Sequence, residues 1–209
     1  MERILYMALY ATSIVRVVWG GDSEITLFLK HIHVLPDCAA VDAVDFLNVT
    51  YESGAFANKG KELTPTEVKN QPIIDWNSKD SFFYTLMMIH SETTPECIKT
   101  LTKECQFHHW LVVNISGNDV SSGDIISEYL SSGPSKGTGL HLYVFLLYKQ
   151  PRELEFEEKF INRYSMAGRS NFSVGDFSEK YNLGLPLASN YYVAQYDDYV
   201  PIVHAQIGY

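Results

Sequence analysis

Ser132-Gly133-Pro134-Ser135-Lys136-Gly137-Thr138-Gly139-Leu140-His141 runs straight into Leu142-Tyr143-Val144-Phe145-Leu146-Leu147-Tyr148. The first half, with three glycines and a proline, is neither helix nor packed strand. It reads as a tight loop whose backbone N–H groups are turned toward a ligand. The second half is apolar almost throughout and lacks a helical period, which marks a strand covered on both faces. His141 stands where loop becomes strand. Upstream, His108-His109 opens a second apolar run, Trp110 to Ile115, and Phe82 to Ile89 is a third. Strand alternation sends His108 and His109 to opposite faces. A Gly/Pro loop with histidines at two strand starts outlines a small anion-binding cup. It does not outline a hydrolase: Ser135 near His141 has neither a G-x-S-x-G elbow nor an orienting acid. No catalytic residues are assigned, and the chain is read as a non-enzyme.

The 209 residues suit one domain, taken as 24–209, with a sizeable core. A net charge of −9 without a basic stripe excludes nucleic acid as the main partner. Cys38, Cys97 and Cys105 are too few for a disulfide framework, and free thiols are the simpler reading. No Cys/His spacing suits zinc, and no metal or cofactor is called for. Ile4 to Val15 has the length of a secretory h-region, with Gly20-Gly21 at a cleavable spot, although Glu2 and Arg16 fit poorly. Residues 1–20 therefore read either as a signal peptide or as a retained extension, with secretion favoured over a cytoplasmic location. The apolar run is too short to span a bilayer. Asn48, Asn114 and Asn171 open N-x-S/T sequons, of which Asn114 lies inside an apolar run, where burial would block glycosylation.

Elsewhere the signals are local. Glu24 to Val34 suggests a short helix, and Val44 to Tyr51 a strand. Leu63-Thr64-Pro65-Thr66-Glu67 is a capping box that predicts about two helical turns before Pro72. Gly123 to Leu130 reads as a helical turn or an irregular crossing. Phe177 to Tyr181 and Asp198 to Gln206 read as short helices, with Asp197 and Asp198 as helix-capping groups rather than paired catalytic acids. Strands dominate, which argues a single β-rich, sandwich-like domain.

His108 to Ile115, Gly117-Asn118-Asp119 and the Gly133 to His141 loop together resemble the phosphatidylethanolamine-binding protein family, which includes the Raf kinase inhibitor protein. Leu63 to Asn70 resembles its upstream signature and Asp197-Asp198-Tyr199-Val200-Pro201 its C-terminal one, so the match runs from about Val34 to Gln206. The resemblance implies an all-β-dominated fold: two antiparallel sheets in a Greek-key sandwich, with a few short peripheral helices. It also implies a monomer with a surface pocket for phosphate-like anions and phospholipid head groups. His109 and His141 match the pocket histidines, Gly133 and Pro134 the pocket loop, and Tyr143 an aromatic wall. Imidazole and loop N–H groups are then expected to donate to phosphate oxygens, with the tyrosine adding a hydroxyl.

The departures are as informative. Where the family has Asp-Pro-Asp-x-Pro, this chain reads His90-Ser91-Glu92-Thr93-Thr94-Pro95, so His90 replaces the first aspartate and Glu92 stands for the second. Ser135 replaces a proline, Leu142 an arginine, and His204 a pocket tyrosine. Losing a carboxylate and gaining imidazoles predicts anion binding that strengthens below about pH 6.5. The ligand expected is a phospholipid head group or another phosphorylated small molecule. The alternative is a protein-interaction module meeting a protein kinase or a serine protease.

Overall fold

The three apolar runs become the three central strands. In the computed structural model, residues 45–78, 81–91 and 106–209 are described. The leader-like segment, the helix expected over Glu24 to Val34, Glu92 and the three cysteines all lie outside them. The strands are β1 (Asp45–Phe46), β2 (Asn48–Thr50), β3 (Lys61–Glu62), β4 (Ile73–Asp75), β5 (Phe83–Ser91), β6 (Gln106–Ser116), β7 (Asp124–Ser127), β8 (His141–Lys149) and β9 (Ala188–Ala194). Two helices are described, α1 (Val174–Lys180) and α2 (Val200–Ile207). One sheet runs β1-β9-β8-β5-β6-β7, with β3 also on β9, and a small second sheet pairs β2 with β4. The β9-β8-β5-β6-β7 body is antiparallel, bordered by β1 and β3, each parallel to β9.

Both faces of the central strands are covered, as their uninterrupted apolar sequence requires. On one face Leu86, Met88, Trp110, Val112, Tyr143, Phe145 and Leu147 pack with Val49 and Ile74 of the small sheet. On the other, Met87, Ile89, Leu111, Val113, Val144 and Leu146 pack with Val174 and Phe177 of α1. Each such side chain contributes roughly 1.5–3 kcal/mol on burial.

Three local expectations are revised. Val44 to Tyr51 is not one strand but two, β1 and β2, in different sheets, split at fully buried Leu47. The capping box forms, with Thr64 N–H donating to Glu67 Oε2 at 2.7 Å and Glu67 N–H to Thr64 Oγ1 at 3.2 Å. It closes a single turn, however, because Leu63 is bound to β9 through Val193 and Thr66 N–H is held by Asp197 Oδ2 at 2.9 Å. Gly123 to Leu130 contributes β7, paired to β6. Asp197 also accepts from Tyr199 N–H at 2.9 Å, a structural hydrogen bond, while the N-cap of α2 is Tyr199 and carries no side-chain cap, so the capping role expected of Asp197 and Asp198 is not the one seen. Asn114 is buried, while Asn48 and Asn171 are exposed.

A buried amide knot fixes the register at the far end of the sheet. Gln150 Oε1 accepts from Thr85 Oγ1 at 2.9 Å and Asn114 N–H at 2.7 Å, while its Nε2 donates to Asn114 Oδ1 at 2.7 Å. Asn114 sits where the β5–β6 register shifts and has φ +53°, a left-handed conformation that asparagine tolerates. Gln150→Leu should therefore strand several buried polar groups and cost about 3 kcal/mol, read as a lower denaturant midpoint with unchanged slope.

Candidate functional site

The site begins with one extra residue in β6. Met88 pairs with Trp110 and Ile89 with His108, so His109 has no partner on β5 and forms a bulge. Strict alternation would put His109 on the face opposite Trp110. The bulge instead turns its ring to the Trp110 face, 5.9 Å from the ring of His90 and 5.2 Å from that of Tyr143. His108 goes to the other face, where it stacks on Phe172 at 4.6 Å, and Nε2 donates to Gly168 O at 2.9 Å. Its exclusion from the pocket was expected from alternation.

A bulge frees backbone groups that need partners. Here Arg169 supplies them. Its fully buried guanidinium donates through Nη1 to the carbonyls of His108 (3.2 Å) and His109 (3.0 Å). Nη2 reaches Glu128 O at 2.8 Å and Asn162 O at 3.1 Å, and Nε reaches Ser165 O at 2.9 Å. The bulge, the segment after β7 and the chain ahead of α1 are thus tied by one side chain. Burial lowers its pKa to about 10, so it stays charged at neutral pH. Sequence reasoning missed Arg169, because nothing local in Gly168-Arg169-Ser170 announces contacts about sixty residues away.

Around His109 the other expected residues converge. His90, His109, Gly133, Pro134, His141, Tyr143 and His204 all line one cavity of about 260 Å³, with Phe107, Val203 and Ile207 among its apolar lining. His90 opposes Tyr143 across the β5–β8 pair, and their rings stack at 5.1 Å. His90 Nε2 lies 2.7 Å from His141 Nδ1, and His141 Nε2 lies 2.6 Å from Thr138 Oγ1 in the loop. α2 closes the other side, where His204 Nε2 donates to Gly133 O at 2.8 Å. A Cβ on Gly133 would come within 3.2 Å of Val203 Cγ1, so glycine allows this close approach of loop and helix. Glu92 falls outside the described residues. Among those described, no Asp, Glu, Lys or Arg lines the cavity, and no cluster of three or more candidate ligands is arranged for a metal.

Two expectations about donors change. Tyr143 is buried as a wall, stacked on Tyr192 at 5.1 Å, and burial raises its hydroxyl well above the ordinary tyrosine range. The N–H groups of the His109 and His204 rings are also committed to protein oxygens. His109 Nδ1 must donate to Leu130 O, 2.9 Å away, since a carbonyl only accepts. Burial lowers His109 to about 3 and His108 to about 4. His90 is held well below the ordinary histidine range by burial, then by the neighbouring His109 and His141. Gains in binding on acidification that come from His90 and His109 therefore start below the pH 6.5 window expected from unperturbed imidazoles.

The comparisons with known proteins agree with this architecture. The family model described as phosphatidylethanolamine-binding protein matches residues 48–192. The Drosophila melanogaster protein named "Putative odorant-binding protein A5" is 35% identical over 185 residues, covering 87% of this chain and 85% of that relative. The solution structure of CG7054 is 40% identical, with a TM-score of 0.62 over 83% of this chain and 97% of that one. The carboxypeptidase Y inhibitor, solved in complex with its cognate proteinase, is 23% identical, with a TM-score of 0.61 over 81% of this chain and 93% of that one, a likeness of fold.

Two measurements probe this construction. Arg169→Met removes the guanidinium donors to the bulge carbonyls, leaving Leu130 N–H on His109 O, and should cost at least about 3 kcal/mol in denaturant unfolding, with loss of dispersion among the His109 ring signals. The second is acid stability. His108 and His109 are neutral in the folded chain but bind protons near pH 6.5 when unfolded. Their contribution is complete above pH 6.5 and is lost as pH falls toward 4 and 3, at about 1.4 kcal/mol per pH unit for each proton. Unfolding midpoints measured from pH 7 to 4.5 should fall steadily, and His108→Phe should flatten the slope by about one proton.

Proposed function

Because this chain belongs to the phosphatidylethanolamine-binding protein family, we propose that its His90–His109–His141 cavity binds the phosphate-bearing head group of a phospholipid or another phosphorylated small molecule, without turning it over. The observation that carries this reading is convergence. Seven residues matched to the family's pocket motifs or their replacements, and His204 from the last helix, meet in one cavity although they come from four separate parts of the chain. The cavity volume of about 260 Å³ suits a head group of roughly ten non-hydrogen atoms and leaves no room for acyl chains. Among the described residues no helix is long and apolar enough to cross a membrane.

His141 is the residue on which the test turns, because it joins β5, β8 and the loop through His90 and Thr138. Titration of the purified protein with O-phosphoethanolamine, followed by calorimetry, should give saturable one-site binding. His141→Ala should weaken it at least tenfold while leaving the unfolding midpoint close to that of the parent. Equal affinity in the two proteins would contradict the proposal. Among the described residues no surface feature favours the alternative, a protein-interaction module for a kinase or a serine protease.

A further inference from the structure

Resting on that reading, we infer that the cavity takes a phosphate group in its singly protonated form, with the ligand's P–O–H donating to an imidazole lone pair.

The argument is an inventory of hydrogens. His109 spends its Nδ1–H on Leu130 O, so the neutral ring leaves Nε2 as an acceptor. His204 spends Nε2–H on Gly133 O, which leaves Nδ1 as an acceptor. Assigning the single Thr138 Oγ1 hydrogen to Ser135 O at 2.8 Å makes His141 Nε2–H the donor in the 2.6 Å contact with Thr138. His141 Nδ1 then accepts from His90 Nε2–H, and His90 Nδ1 is a third lone pair. The buried polar atoms without partners do not include His90 Nδ1, His109 Nε2 or His204 Nδ1, in contrast to His108 Nδ1. All three rings line the cavity, which sets these acceptors in its wall.

The titratable groups around the cavity come from each element that forms it. They are His90 on β5, His109 on β6, His141 and Tyr143 on β8, and His204 and Tyr209 at α2 and its end. Arg169 lies behind β6, on the carbonyls of His108 and His109. With His90 and His109 held neutral by burial, a fully deprotonated phosphate would meet lone pairs. A phosphate monoester below its second pKa, about 6, brings the missing hydrogen itself. A phosphodiester, as in an intact phospholipid, has none to bring, so the inference favours free phosphate monoesters.

Methyl phosphate and methyl sulfate test this directly. At pH 5 both carry one negative charge on a similar tetrahedral frame, and methyl phosphate alone has a donor hydrogen. Calorimetry on the full chain should show methyl phosphate binding at least tenfold tighter than methyl sulfate at pH 5. Its affinity should fall about tenfold from pH 5 to pH 7, tracking the monoanion fraction. Methyl sulfate should stay weak and flat with pH, and dimethyl phosphate should follow it. Methyl sulfate matching methyl phosphate at pH 5, or rising in parallel as pH falls, would overturn the inference by making imidazolium the source of attraction, while the head-group proposal stood. Absence of binding by every probe, O-phosphoethanolamine included, would remove both. His109→Phe and His204→Phe each remove one of the three acceptors and should each narrow the difference between methyl phosphate and methyl sulfate, His204→Phe with the buried bulge intact; an unchanged difference in both would contradict the inference.

Discussion

The site depends on one backbone irregularity, the unpaired residue at His109, and on the buried guanidinium that makes it tolerable. A regular β6 would send His109 into the helix-covered face beside Leu111 and leave the cup with the rings of His90, His141 and His204. The bulge turns the ring, and Arg169 takes up the carbonyls that the bulge exposes. A buried cation is costly in a protein interior, which explains why every one of its donors is matched to an oxygen. The same side chain holds residues 128 and 162 against the bulge, so the cavity wall and the bulge are stabilised together.

From this follows a pocket of unusual polarity. Aromatic stacking of Tyr192, Tyr143 and His90 supplies a rigid back wall. Against it the chain sets several imidazoles but, among the described residues, no carboxylate and no ammonium or guanidinium group. Desolvation keeps His90 and His109 uncharged, and the local carbonyls decide which nitrogen keeps its hydrogen. Anion recognition in such a cup is governed by hydrogen-bond direction more than by net charge.

The sequence disclosed the parts of this structure that are encoded locally. β5, β6 and β8 were legible because long apolar runs can only be strands buried on both faces. The loop was legible from its glycines and proline, and the pocket membership of His109, His141, Gly133, Pro134 and Tyr143 from the family resemblance. β9 was not, because Ala188-Ser189-Asn190-Tyr191-Tyr192-Val193-Ala194 is mixed in polarity and owes its place to neighbours on both edges. The helix expected after Thr64 shrank to a turn because tertiary hydrogen bonds to β9 and Asp197 outweighed the local cap. Arg169 and Thr138 act only through contacts that folding creates, so neither showed in the sequence. Alternation separated His108 from His109 correctly and then failed one residue later, at the bulge.

The central claim is that the fold, through the bulge and the carbonyls around it, fixes which nitrogen of each ring carries hydrogen. Nitrogen-15 spectra of the histidine rings in the unliganded protein at pH 7 read this out residue by residue. The account predicts His109 as the Nδ1–H tautomer and His141 and His204 as Nε2–H tautomers. A His109 ring protonated on Nε2, or present as imidazolium at that pH, would contradict it.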